Sequence, residues 1–148
     1  MTIVFIRHAH RDTSERDIDN GISTKGRDQV KKLIKRYESG KLPPGEVFWT
    51  SPKKRCLETL TPVASRAAKV AVVEALLDEQ SENEDRQDFS KRITELIEKV
   101  SKENQTVYLC SHGDFIPLAI EMLSGNSVDV SKGEAVVLES NDRRWSIK

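Results

Sequence analysis

Cysteine is scarce in this sequence, and it has no long apolar run and no excess of charge of one sign. Its two cysteines, Cys56 and Cys110, each have a leucine as one neighbour, which is typical of buried free thiols in a reducing compartment and not of a disulfide framework. The longest apolar runs, such as residues 3–6, are too short to span a bilayer, and no cleavable signal pattern precedes them. These features predict a cytoplasmic protein.

The charges are balanced, with 24 Lys and Arg residues against 24 Asp and Glu residues. Without a basic excess, no overall field draws the chain to nucleic acid or to an anionic membrane, so we expect neither as a partner. The 148 residues, of which 36% are hydrophobic, predict a single domain over 1–148 that needs neither disulfides nor metals to fold. The sequence does not indicate an oligomeric state.

Short apolar runs alternate with amphipathic segments along the chain. Strands are predicted for the apolar runs, over residues 2–6, 47–49, 70–73, 107–110 and 135–138. Most of these runs lack polar alternation, which is typical of strands that are covered on both faces. The pattern predicts an α/β fold, a three-layer α/β/α sandwich with a mostly parallel central sheet.

Three amphipathic segments have the spacing of helices. Apolar residues at helical intervals predict helices around residues 30–37 and from about 88 to 103, the second capped by the acidic stretch before it. Residues 53–68 have the same pattern, but Pro62 lacks a backbone donor. We therefore expect the helix at 53–68 to kink or restart at Pro62.

The last part of the chain has two further patterns. Residues 115–123 are apolar on nearly all sides, which predicts a deeply packed helix that ends at Gly125. Residues 135–138 and 145–147 are predicted to pair as a hairpin across a polar turn at 140–142.

Polar residues follow directly on two of the predicted buried strands. Arg7 and His8 come after the first strand, and His112 comes shortly after residues 107–110. Ligands in open α/β sheets bind beyond the carboxyl ends of the strands. We therefore expect the two histidines to converge on one crevice.

A third strand end places cations at the start of a helix. Residues 47–49 lead into Lys53, Lys54 and Arg55. Positive side chains in a first helical turn are unfavourable by about 0.3–1 kcal/mol each, unless an anion occupies the site that they share. We expect the two lysines to point into water and Arg55 to turn inward. Because a guanidinium group matches two phosphate oxygens at once, Arg7 and Arg55 are predicted to clamp a phosphate.

A phosphate held in this way would lie beside His8. Once its charge is neutralised, the neutral imidazole of His8 can attack phosphorus and form a covalent intermediate. A protonated His112 is expected to complete the charge cage. The neighbouring guanidinium groups disfavour the imidazolium form of His8, which keeps this nucleophile unprotonated near neutral pH.

Four motifs, in this order, resemble those of the histidine phosphatase superfamily, whose fold is phosphoglycerate-mutase-like. They are Arg7-His8-Ala9, the segments 22–29 and 50–59, and Ser111-His112-Gly113. The resemblance extends over most of the chain. It implies that His8 is the phosphorylated nucleophile, that Arg7, Arg55 and His112 bind phosphate, and that neither a metal nor another cofactor is used.

Within that superfamily, the short length and the Arg-His-Ala form resemble the bacterial phosphohistidine phosphatases. This resemblance implies an uncovered site and a phosphorylated protein as the substrate. The family often has Gly followed by Glu or Gln after the nucleophile, whereas Ala9 and His10 stand here. The difference affects the rim of the pocket and therefore the specificity.

A general acid is needed to protonate the leaving group. Many superfamily members place a Glu after a Leu downstream of the third strand, and the match in Leu77-Asp78-Glu79 implies that Glu79 is this acid. The stretch 78–88 is strongly acidic and fits a solvated loop equally well. Asp114, just after the second histidine, is the other candidate.

Three alternative functions remain open. His8 and His10 lie on one face of an extended segment, and with His112 they would supply three ligands to a metallohydrolase, although Arg7 would repel the cation. A binding module would need only Arg7, Arg55 and His112 to hold a phosphorylated protein without turnover. A phosphomonoesterase acting on a small phosphorylated substrate would use the same site as the phosphohistidine phosphatase.

Overall fold

Runs of apolar residues form the strands of a single mixed sheet in the computed structural model, which describes residues 1–148. In chain order the strands are β1 (Thr2–Arg7), β2 (Val47–Thr50), β3 (Val72–Val73), β4 (Thr106–Ser111), β5 (Ala135–Asn141) and β6 (Arg144–Ile147). They lie in the order β3-β2-β4-β1-β5-β6. The first four are parallel, and β5 and β6 are added antiparallel at one edge. The predicted mostly parallel sheet is confirmed.

Helices cover both faces of the sheet because its central strands are apolar on both sides. The helices are α1 (Thr24–Glu38), α2 (Lys54–Arg66), α3 (Arg86–Ser101) and α4 (Phe115–Ser124). In β1, Ile3 and Phe5 pack in one core cluster with residues of α3 and α4, whereas Val4 and Ile6 pack in a second cluster with residues of α1 and α2. This arrangement confirms the three-layer sandwich.

Of the two outcomes predicted for Pro62, a kink or a restart of α2, the restart is wrong, because the helix is continuous through this residue. Thr61 is exposed and Pro62 is half-buried, whereas Leu60 and Val63 are fully buried. The missing N–H therefore lies toward the outer side of the helix, where water can satisfy the carbonyl left free. Burial of the opposite face stabilises the helical backbone on both sides of the proline.

The strand predicted at 70–73 is shorter and more exposed than expected. Only Val72 and Val73 form β3, and the exposed fractions of Val70, Val72 and Val73 are 79%, 54% and 51%. β3 is at the edge of the sheet and has only β2 beside it. The prediction of a strand covered on both faces is therefore wrong for residues 70–73.

The last helix and the hairpin follow the prediction with two differences. α4 ends at Gly125, whose φ of +78° is the left-handed conformation that glycine adopts without strain. Met122 of α4 is 40% exposed, so this helix is not buried on all sides as predicted.

β5 and β6 pair as predicted, but the turn between them lies at Asp142 and Arg143, both with positive φ. None of the helices combines the length and apolar character needed to cross a membrane.

Candidate active site

The carboxyl ends of β1, β2 and β4 bring three polar segments to the same edge of the sheet. β1 and β4 are parallel neighbours, with Arg7 paired to Ser111, and the amide of His8 donates to the carbonyl of Ser111 at 3.1 Å. The ring centroids of His8 and His112 are consequently 5.3 Å apart. The two histidines converge as the sequence predicted.

One nitrogen of the His8 ring is committed to the backbone, and the other is free. The Nδ1 atom lies 2.8 Å from the carbonyl oxygen of Ala9. Because a carbonyl oxygen can only accept, Nδ1 carries the proton and Nε2 keeps its lone pair. The sequence around His8 thus positions a neutral imidazole with one unshared electron pair.

Burial is the main reason that His8 is neutral. Its side chain is almost inaccessible, and desolvation lowers the pKa of His8 to about 4, against the opposing effect of the bond to Ala9. Arg55, Arg7 and Lys132 lower this pKa further. The expected effect of the guanidinium groups is present, but each of them lowers this pKa by less than burial does.

Arg7 lies against the glycine of the last motif. Its Nη1 donates to the carbonyl of Val130 at 3.0 Å. A Cβ atom at residue 113 would be 2.7 Å from Cζ of Arg7, so any side chain at this position would displace the guanidinium group. Glycine at 113 therefore leaves room for Arg7 in the position that it occupies.

Arg55 turns inward, as expected from the sequence. It is 5% exposed; its Nη2 lies 2.9 Å from Oε2 of Glu79, and its Nη1 lies 3.6 Å from Oδ1 of Asp19. Lys54 is exposed, also as expected. The prediction that Lys53 points freely into water is wrong, since its Nζ lies 3.4 Å from the carboxylate of Asp78.

His112 is buried on the other side of the site. Its Nε2 lies 2.8 Å from Oγ of Ser51, and its Nδ1 is 3.9 Å from Oε2 of Glu79. Desolvation, followed by the proximity of His8 and Arg55, lowers the pKa of His112 to about 2. His112 is therefore neutral in the free protein, and the protonated form expected around a bound phosphate would need the anion beside the ring.

We call the group of Arg7, His8, Arg55 and His112 the anion cradle. Three of its buried nitrogens have no hydrogen-bond partner, namely Nε of Arg7, Nε of Arg55 and Nδ1 of His112. Leaving a buried donor unsatisfied costs about 1–3 kcal/mol. A tetrahedral anion with several oxygens could accept from such donors at one point, and these charge-assisted hydrogen bonds would be stronger than those to an uncharged acceptor.

The structure separates the two candidate acids. Glu79 reaches the anion cradle through its contact with Arg55 and is 40% exposed in its side chain. Asp114 is exposed, and its Oδ2 accepts from the amide of Gln80 at 3.0 Å. Asp114 therefore supports the loop that carries Glu79 and makes no hydrogen bond within the cradle.

The third histidine is held elsewhere. Nδ1 of His10 is 2.7 Å from Oγ of Ser23, the residue that caps α1. No group of three or more His, Cys, Asp or Glu side chains is arranged to hold a metal ion. The three-histidine metal site considered as an alternative is therefore not formed.

Sequence reasoning missed two residues that contact the cradle. Oδ2 of Asp19 accepts from the amide of Lys54, the first residue of α2, so this carboxylate occupies the helix N-terminus for which only a phosphate was expected. No pattern in the sequence identifies Asp19. Ser51, the hydrogen-bond partner of His112, lies within the motif at 50–59, and its place in that motif was the available signal.

The lowered pKa values of the two buried histidines predict a loss of stability in acid. The native state holds both rings neutral, whereas an unfolded histidine binds a proton below its ordinary pKa of 6.5. The unfolded state binds more protons below pH 6.5, so stability must fall as the pH decreases from 6.5 toward 4. We expect the melting temperature of a His112→Gln variant to fall less between pH 7 and pH 4.5 than that of the wild type. Equal falls in the two proteins would contradict this account.

The comparisons with known proteins extend this geometry. The family model described as histidine phosphatase superfamily (branch 1) matches residues 3–83. No curated protein matches this sequence. The α-ribazole phosphatase from Shigella flexneri is similar in structure, with a TM-score of 0.83 and 17% identity over 100% of this chain and 95% of the other.

Two further solved structures have the same fold. A mycobacterial glucosyl-3-phosphoglycerate phosphatase gives a TM-score of 0.81 at 16% identity, over 99% of this chain and 96% of the other. The protein histidine phosphatase SixA complexed with tungstate gives 0.79 at 15% identity, over 100% of this chain and 94% of the other. At these identities the likeness concerns the fold, and the substrates differ among the three proteins.

Proposed function

The chain belongs to the histidine phosphatase superfamily, and from this premise we propose that it hydrolyses phosphohistidine in proteins through a phosphorylated His8. The observation that carries the proposal is the free Nε2 atom of His8. It is fixed by the bond between Nδ1 and the carbonyl of Ala9, in a cradle where three buried nitrogens lack hydrogen-bond partners. An unprotonated imidazole beside two guanidinium groups is the arrangement needed for nucleophilic attack on a phosphoryl group.

The first half of the reaction transfers the phosphoryl group to the enzyme. Arg7, Arg55 and His112 bind the phosphoryl oxygens, and Nε2 of His8 attacks phosphorus. The bond from Nε2 to phosphorus forms while the bond from phosphorus to the leaving group breaks. Glu79 supplies the proton that the leaving group takes up.

The second half returns the enzyme to its starting state. Glu79, now a carboxylate, accepts a proton from water, and the water oxygen attacks the phosphorus of phospho-His8. The bond from phosphorus to Nε2 breaks, inorganic phosphate leaves, and His8 is again neutral. The mechanism needs no oxidant and no further reactant besides water.

The surroundings of the cradle support a nitrogenous leaving group. Asp19, Asp78 and Glu79 retain 24%, 29% and 40% exposure of their side chains, so carboxylates border the entrance to the cradle. An imidazole that departs from phosphorus takes up a proton and can carry a positive charge, which neighbouring carboxylates stabilise. Such a leaving group also needs less help from an acid than an alkoxide does.

A single-turnover experiment tests the covalent step. The protein is mixed with a ³²P-labelled phosphohistidine carrier protein and quenched in alkali after a short delay. We expect an acid-labile label on the enzyme, because phosphohistidine is stable in alkali and hydrolyses in acid. Absence of any label, together with tight retention of the phosphorylated carrier, would instead identify a module that binds phosphoproteins without turnover.

Glu79→Gln should separate the acid's role from that of the nucleophile. The amide cannot donate the acidic proton, so we expect turnover of an alkyl phosphate to fall by about 10²- to 10⁴-fold, with a smaller loss for an aryl phosphate, whose leaving group needs less protonation. Labelling of His8 should persist. Glu82→Gln, in the same acidic stretch but exposed, serves as the control and should keep wild-type rates. Equal losses for both phosphates would argue against Glu79 as the acid.

A substrate panel decides between a protein and a small molecule. The values of kcat/KM for a phosphohistidine carrier protein, for sugar phosphates and for phosphoglycerates are measured with the same enzyme preparation. We expect the carrier protein to give the highest value. A higher value for one of the small phosphates would identify the protein as a small-molecule phosphomonoesterase that uses the same cradle.

A further inference from the structure

The segment that carries Glu79 has little regular structure of its own. It runs from a single 3₁₀ turn (Ala75–Leu77) to Asp85, which caps α3. Within this segment, Glu79 is the residue that forms an ion pair with Arg55. The position of the carboxylate in the site therefore depends on what holds this backbone in place.

One side chain of α3 binds three backbone carbonyls of that segment. Nη1 of Arg92 donates to the carbonyls of Leu76 and Asp78 at 2.8 and 2.7 Å, and its Nη2 donates to the carbonyl of Glu79 at 3.0 Å. Its Nε and Nη2 also bind the two carboxylate oxygens of Glu84 at 2.9 and 2.8 Å. All three side-chain nitrogens of Arg92 thus donate hydrogen bonds to residues between 76 and 84.

The carbonyl of Leu77, which Arg92 does not bind, accepts a hydrogen bond from the end of β4. Oγ of Ser111, the residue before His112, donates to the carbonyl of Leu77 at 2.6 Å. Together with Arg92, it binds the carbonyls of four consecutive residues, 76 to 79. The guanidinium group of Arg92 also lies 4.9 Å from the ring centroid of Phe89, which is buried in the core. The loop is therefore connected to the core and to β4.

We propose that Arg92 is a positioning residue that, paired with Glu84, holds the backbone of residues 76–79 so that the Glu79 carboxylate faces the anion cradle. The inference rests on the proposed function, because it assigns to Arg92 an effect on the reaction that passes through Glu79. A small displacement of a catalytic group reduces the rate strongly, and about 1 Å can cost on the order of 10²-fold.

The hydrogen bonds to three carbonyls, made in addition to the pair with Glu84, make the arrangement specific for arginine. A guanidinium group has five donors in a planar fork, whereas the ammonium group of lysine is a single point charge. Lysine at residue 92 could pair with Glu84 but could not also reach three carbonyls. We therefore expect Arg92→Lys to keep the charge and to lose the positioning.

Arg92→Met is the main test, with Lys91→Met as its control, since Lys91 is the neighbouring, exposed cation on α3. Turnover is measured with an alkyl phosphate and with an aryl phosphate. We expect Arg92→Met to lower kcat about 10- to 100-fold for the alkyl phosphate and by a clearly smaller factor for the aryl phosphate. Binding of inorganic phosphate should be unchanged, and Lys91→Met should match the wild type.

The double variant Glu79→Gln with Arg92→Met shows whether the effect passes through Glu79. In a protein that already lacks the acid, the second substitution should change turnover of the alkyl phosphate by less than about 3-fold. A full additional loss, or equal losses for both phosphates in the single variant, would overturn the proposal. If Arg92→Met does not fold, Arg92→Lys and Glu84→Gln are measured in the same way.

The outcomes distinguish this inference from the function on which it rests. If Glu79→Gln itself shows no dependence on the leaving group, the assignment of the acid is wrong. If Glu79→Gln shows that dependence and neither Arg92 variant does, the acid is correctly assigned and the positioning role is wrong.

Discussion

His8→Ala should abolish turnover, with a loss on the order of 10⁴-fold or more, because loss of a covalent nucleophile removes the pathway and leaves only residual catalysis by binding. The label that the wild type acquires from a phosphohistidine carrier protein should be absent. Binding of inorganic phosphate, measured by calorimetry, should remain, since Arg7, Arg55 and His112 are unchanged. Loss of turnover with retained binding separates the nucleophile from the phosphate ligands.

The sequence offers a matched control for this variant in His10, two residues away. Its ring binds Oγ of Ser23 and makes no hydrogen bond in the anion cradle. We expect His10→Gln to be labelled and to turn over within a few-fold of the wild type. If His10→Gln lost the label while His8→Ala kept it, the nucleophile would be wrongly assigned.

Arg55→Met should produce the largest loss of phosphate binding. This guanidinium group is 5% exposed, and charge-assisted hydrogen bonds in such a setting are strong. Removing one partner of a buried charged pair typically costs about 2–4 kcal/mol, so the affinity for inorganic phosphate should fall about 30- to 1000-fold. Calorimetry at fixed pH and ionic strength measures this change directly.

Arg66→Met is the control on the same helix. Arg66 is more than half exposed and is 3.9 Å from the carboxylate of Glu38, so its removal should leave phosphate binding unchanged. The comparison excludes a general effect of removing a positive charge from α2. Unaltered phosphate affinity in Arg55→Met would contradict the anion cradle as the binding site.

Loss of Arg55 also changes the surroundings of two carboxylates. Glu79 and Asp19 both face this guanidinium group, and in its absence they would repel an incoming anion. Arg55→Met thus weakens phosphate binding in two ways: the attraction between Arg55 and phosphate is lost, and the repulsion between phosphate and the two carboxylates is no longer neutralised. Adding Asp19→Asn to Arg55→Met should therefore restore part of the affinity.

Most of the fold could be predicted from the sequence because it depends on local patterns. The apolar run of β1 has alternating residues that face two core clusters, and a run without polar alternation predicts a strand covered on both faces. Exposure of β3 could not be predicted in this way, since an edge strand and a central strand can have the same apolar residues. The environment of a strand depends on which elements lie beside it.

In the site, too, some features could be predicted from the sequence and others could not. The positions of Arg7, His8 and His112 at strand ends follow from the sequence, because parallel strands end at one edge of the sheet. The neutral state of His112 does not, since it results from burial by residues distant along the chain. Likewise, the sequence identified Leu77-Asp78-Glu79 but contained no sign of Arg92, which binds the carbonyl of Glu79 from 13 positions away.

The amino-acid sequence by itself determined the layered α/β architecture and the chemistry available at the strand ends, because periodicity and residue type act over a few neighbouring positions. Only the tertiary structure decided which groups are charged, which carboxylate reaches Arg55 and which loop is held in place. Those properties depend on burial and on distances between segments that are remote in sequence, and local sequence patterns predict neither.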